Sequence, residues 1–118
     1  MSSIKYPHER KLTKQMIFTL ISDGSGDASQ ESKLIQGAIQ RVIIIPGAGV
    51  SANYTVVILD ESDVDTLQSD GNTGIICSSA TEPFELRPQT HVTDALTCTI
   101  AGLGDTKTCE VKVYWTED

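Results

Sequence analysis

A chain of 118 residues and 12.7 kDa, with 39% hydrophobic, 21% charged and 5% aromatic residues, has room for one domain around one core. Nine basic against sixteen acidic side chains give a net charge of −7, which repels phosphate backbones and argues against nucleic acid as a partner. The longest strongly apolar stretch, Arg41-Val-Ile-Ile-Ile-Pro46, is strand-sized, far short of the roughly 18 residues of a membrane helix. The first residues lack the apolar core of a signal peptide, so the expectation is a soluble, intracellular product away from membranes.

The charge is uneven along the chain. Residues 1–14 carry Lys5, Arg10, Lys11 and Lys14 against Glu9, a net +3, which leaves −10 on residues 15–118. We therefore divide the chain into an N-terminal arm, 1–13, and a folded domain, 14–118. The arm is either a solvated tail or an element that docks on an acidic neighbour such as a second copy. Lys5, Arg10, Lys11 and Lys14 are the candidate partner-binding residues in the second case.

The strand signals follow in chain order. Lys14 to Ser22 reads as the first strand, and Asp23-Gly-Ser-Gly-Asp27 as a glycine-rich turn. Leu34 to Ile45 is the next extended segment, with Gly37 as a bend that lets one segment serve two sheets. Pro46-Gly-Ala-Gly49 ends it. Tyr54 to Leu59 is the third strand and stops at Asp60-Glu-Ser-Asp-Val-Asp65, with Val64 and Leu67 as a short further piece. Residues 68–94 are the least regular, with apolar pieces at Ile75-Ile76 and Phe84 to Leu86 among Gly71, Gly74, Pro83 and Pro88.

Leu96 to Ala101 and Lys107 to Trp115 both alternate apolar and polar residues. With Gly102-Leu-Gly-Asp105 as a turn, they read as a hairpin in which Leu96 faces Val111 and Cys98 faces Cys109. The fold class is thus all-β: a single β-sandwich of jelly-roll type with an extended basic arm.

Chemistry is sparse. Cys77, Cys98 and Cys109 have no zinc-like spacing, and an odd count fits a reducing compartment. They read as buried thiols filling core space, with a cross-strand Cys98–Cys109 disulfide as the alternative. His8 and His91 read as surface histidines, and a Cys77/His91 nucleophile pair has nothing local to support it. The Gly-x-Ser-x-Gly elbow is absent, and Gly47-Ala-Gly49 is not a dinucleotide fingerprint. Asp60, Glu61, Asp63 and Asp65 raise calcium as one reading, but the EF-hand pattern fails and a solvated acidic loop is the other. The expectation is a protein without enzymatic activity, cofactor or metal.

Several runs resemble a family of small structural proteins of tailed bacteriophages. Gly37 to Gly47 matches a Gly-x-hydrophobic-x-Arg-Val run ending near a proline. Asn53-Tyr-Thr-Val-Val-Ile-Leu-Asp60 and Val64-Asp-Thr-Leu67 follow it, and Leu96 to Ile100, Ala101-Gly102 and Lys107 to Trp115 match the family's last strands. The pattern departs at Thr55, where the family often has Asp, and in residues 68–90. The resemblance implies a virion component, assembled in the host cytoplasm, that binds the major capsid protein or other virion proteins and its own copies, a trimer being common among such parts. It implies a capsid decoration protein first, and a collar, head-tail connector or fibre-attachment adaptor second. From another class, a small carbohydrate-binding β-sandwich stays open, although the few aromatics weaken it.

Overall fold

The computed structural model describes residues 13–50, 53–67, 75–77 and 83–117. Among these residues there is no helix; nine strands run β1 (Thr13–Ile21), β2 (Ala28–Leu34), β3 (Gly37–Pro46), β4 (Tyr54–Leu59), β5 (Ile75–Cys77), β6 (Phe84–Leu86), β7 (Thr90–Val92), β8 (Ala95–Ala101) and β9 (Thr108–Glu117). They form two antiparallel sheets. One has the order β1-β9-β3-β6, with β7 also on β3, and the other has the order β2-β8-β4-β5.

This order is that of a jelly roll: β4 pairs with β5, β3 with β6 and β7, β2 with β8, and β1 with β9, as one long double ribbon wound upon itself. Two further pairings, β3 with β9 and β4 with β8, join the windings into sheets. β6 and β7 lie end to end along one edge, β6 opposite Val42–Ile44 and β7 opposite Gly37–Ile39. The break between them holds Pro88 and Gln89, the latter at φ 57. A broken, proline-bearing edge resists pairing with another chain.

Alternation buries one face of β1, β3, β4, β8 and β9. Phe18, Leu20, Ile39, Val42, Ile44, Val111 and Val113 from the first sheet meet Tyr54, Val56, Ile58, Leu96 and Ile100 from the second. At about 25 cal/mol per Å² of apolar surface removed from water, this two-sided core is the main stabilising term.

The crossover from β2 to β3 is made by Ile35 and Gln36, with Ile35 buried. Here the structure corrects the reading of Leu34–Ile45 as one segment. Leu34 closes a preceding strand, β2, whose sequence Ala-Ser-Gln-Glu-Ser-Lys-Leu is polar and mostly exposed because it forms a sheet edge. Gly37 does mark the change of sheet. Its φ is 146°, and a β-carbon there would fall onto the Thr116 carbonyl group. Gly37→Ala is therefore expected to lower stability by roughly 2–3 kcal/mol, read as a reduced urea midpoint, since backbone cannot yield as a side chain would.

The last two strands also depart from the hairpin read from their alternation. β8 and β9 do not form a hairpin: β8 pairs with β2 and β4 in one sheet, and β9 with β1 and β3 in the other. Residues 102–107 cross the end of the sandwich instead of turning within a sheet. Leu103 is buried under the crossing, its N–H donates to the Gly26 carbonyl at 3.0 Å, and the Lys107 N–H donates to the Ser22 hydroxyl at 2.8 Å. The Ser22 hydroxyl in turn donates to the Gly104 carbonyl. These bonds tie the loop to the β1–β2 turn and carry the chain over the roughly 10 Å between sheets.

Candidate interaction surfaces

Cys77, Cys98 and Cys109 are all free and buried. Cys98 and Cys109 face the core from opposite sheets, so the cross-strand pairing read from a hairpin does not exist. Around them the Tyr54 hydroxyl is buried with no hydrogen bond of normal geometry, and its near neighbours are the Cys77 and Cys109 sulfurs, weak acceptors at best. Burial pushes all three thiols above their ordinary range, Cys109 to about 12. A thiol held protonated is a poor nucleophile and a poor ligand, so these residues are core fillers. Cys77 sits inward on β5, whereas His91 is an exposed residue of β7 in the other sheet. The fold does not assemble the two as a catalytic pair.

The acidic run after β4 is organised by its own backbone. The Asp60 carboxylate accepts the N–H groups of Ser62 at 2.8 Å and Val64 at 3.0 Å, and Asp63 takes φ 60°. Asp65 turns inward, 3% exposed, and accepts the Leu67 N–H. The piece at Val64–Leu67 is thus a single bridge, Leu59 with Asp65, held by the Thr66 hydroxyl on the Ile58 carbonyl. The loop is a structured turn, only partly the solvated run read from composition. Among the described residues no group of three or more His, Cys, Asp or Glu side chains is placed to hold a metal ion.

Of the candidate arm residues, Lys5, Arg10 and Lys11 lie outside the described residues, as does His8. Lys14 belongs to β1, opposite Trp115, with its ammonium 4.0 Å from the Glu117 carboxylate.

The two outer faces differ in charge. On the first sheet, Arg41 and Arg87 flank the Glu85 carboxylate, each with Nε to oxygen, at 2.7 and 3.0 Å, and hold it below the usual carboxylate range. The Arg41 guanidinium also lies 5.7 Å from the Tyr114 ring centroid. Being exposed, this cluster contributes little to stability. On the second sheet the outward rows are Glu31–Thr97–Leu59 and Ser29–Thr99–Val57, with Glu31 their single charge. Ile76 at its edge is 65% exposed. An almost uncharged sheet face on so acidic a body is the surface where contact with another protein costs least desolvation.

A third feature lies between the sheets. β1 and β2 are the free edges on one side, and a cleft of about 520 Å³ opens between them. Met16, Phe18, Ile35 and Trp115 are among its apolar lining, and Gln15, Gln30, Lys14, Glu31, Lys33 and Glu117 among its polar lining. Trp115 is buried, and its indole N–H has no acceptor among the described residues. Nothing in the sequence pointed to this cleft, because Trp115 of β9 meets β1 and β2 only in the folded chain.

No protein-family profile matches the sequence, and no curated protein matches it significantly. Chains of known structure are similar to it. A chain of tomato aspermy virus, determined by X-ray crystallography, has a TM-score of 0.50 at 10% identity, covering 100% of this chain and 83% of that one. A chain of the Bacillus endospore appendages, described as disulfide-linked pili, gives 0.47 at 15% identity, covering 99% and 100%. The lectin-binding domain of Lectinolysin, solved with Lewis b, gives 0.46 at 8% identity, covering 97% and 99%. The viral chain supports the two-sheet fold, and at such identities none of them speaks to activity.

Proposed function

We propose that this protein is a non-enzymatic structural component of a tailed-phage particle, a capsid decoration protein that binds the shell and its own copies. The observation that carries the reading is the nearly uncharged outer face of β2-β8-β4-β5 on a chain of net charge −7. Such a protein works by surface complementarity and needs no reactive side chain. The thiols locked in the core and the self-capped acidic loop fit that use. The sequence resemblance supplies the particle type, and the jelly roll shared with a viral chain is compatible with it. The partner is the major capsid protein or a neighbouring virion protein, and the place of action is the virion, with assembly in the host cytoplasm.

The test is location. Antibody raised against the purified protein, coupled to gold and applied to phage particles of the source, labels head surfaces if the protein decorates the shell. Label confined to the neck or to fibres replaces decoration by the connector or adaptor role. Unlabelled particles, with the antigen present in the same lysate, overturn the reading. In the shell-binding assay, Val57→Glu on the uncharged face weakens binding at least about tenfold, since a carboxylate must then be desolvated at the contact.

A further inference from the structure

Resting on the reading of an assembling protein, we infer that the cleft between β1 and β2 receives the N-terminal segment, residues 1–12, of a second copy of this chain. The cleft offers what an extended segment needs. Among the described residues both of its rims are edge strands with one side of the backbone unpaired, and Met16, Phe18, Ile35 and Trp115 line it among polar groups that include Lys14, Glu31, Lys33 and Glu117. Leu34, 63% exposed, and Ile17, 49% exposed, add apolar surface among the lining residues.

The occupant follows from the chain itself. The segment before β1 contains Ile4-Lys-Tyr6, which as a strand sets Ile4 and Tyr6 on one side and Lys5 on the other. The apolar pair suits Met16, Phe18, Ile35 and Trp115. The segment is basic and the rest of the chain acidic, so copies attract each other in this arrangement.

Self-insertion is disfavoured by geometry. β1 begins at Thr13 and is itself one wall of the cleft. To enter its own cleft, the chain must reverse just before that residue, where Arg10-Lys-Leu12 holds no turn former. Between Ile4 and Leu12 only Pro7 suits a turn. A reversal there puts the turn roughly 16 Å beyond the rim, at about 3.3 Å per residue. A second copy's cleft carries no such restriction.

Trp115 is the single tryptophan of the chain and reports directly on the cleft. The experiment dilutes the full chain while light scattering gives the mass and Trp115 emission is recorded. The mass is expected to fall toward 12.7 kDa while the emission shifts to the red as water enters the cleft. Leu34→Arg, an exposed substitution that leaves the core intact, and separately Ile4→Ser/Tyr6→Ser, each raise the dissociation constant at least about tenfold. An equimolar mixture of the two variants recovers a pair, because one partner keeps its arm and the other its cleft.

Single-chain mass at every concentration overturns the inference. So does association that both variants retain, or a mass change without an emission change. If the arm variant shifts the emission at constant single-chain mass, the occupant is the chain's own arm and the second copy is excluded. A chain that fails here but still labels particles leaves the virion reading standing.

Discussion

Val111→Asp lowers the unfolding free energy by about 4 kcal/mol or more, most of the stability of an ordinary domain. Val111 is fully buried on β9, between Phe18 of β1 and Ile44 of β3, and faces the second sheet. A carboxylate there has no cation within the core and no water. It either stays charged at a large desolvation cost or takes up a proton, which costs stability in proportion to its raised pKa. The measurement is the urea midpoint, with Thr19→Lys as the control. Thr19 sits one residue along β1 from Phe18 but on the outer face, opposite Glu110, and is exposed. The control is expected to move stability by less than about 0.5 kcal/mol. Equal effects at the two positions contradict the assignment of inner and outer faces.

The second large effect is loss of stability in alkali. The folded state holds the three thiols protonated, whereas in the unfolded chain a thiol ionises near 8.5. Above that pH the unfolded state binds fewer protons than the native state, so stability falls as pH rises. The fall begins near pH 8.5 and continues for Cys109 until its folded value of about 12. Each thiol contributes a slope of up to about 1.4 kcal/mol per pH unit in that window. Urea midpoints under reducing conditions at pH 7, 9 and 10 give the slope, and Cys98→Ala removes one thiol's share of it. An unchanged midpoint across that range, or a slope that Cys98→Ala leaves intact, shows that the thiols are open to solvent.

The strands were legible where alternation was strong. Tyr54–Leu59 is β4 with the bounds its pattern predicts, and the last two alternating runs are β8 and β9 within a residue or two. Alternation says which residues face inward but not which strand lies alongside. Leu96 and Val111 are both buried as expected, yet they sit in different sheets, and the short glycine-rich segment between them crosses the sandwich. β2 was invisible because an edge strand exposed on most of its length has no apolar face to announce it. The cleft was invisible for another reason. Trp115 read as the aromatic end of a strand, and only the meeting of β1, β2 and β9 turns it into the wall of a site. Of the candidate partner-binding residues, Lys14 lies in β1, as the strand read from Lys14 to Ser22 has it, while Lys5, Arg10 and Lys11 are argued from charge alone.

An almost uncharged sheet face and a core that sequesters its thiols suit the proposed role of a protein held by neighbours. The most direct check is the protein content of purified particles. Phage particles of the source, banded on a density gradient and digested for peptide mass spectrometry, are expected to contain this chain in many copies per particle, at a constant ratio to the major shell protein across the band. Particles that lack the chain, while the unassembled fraction of the same lysate contains it, contradict the account.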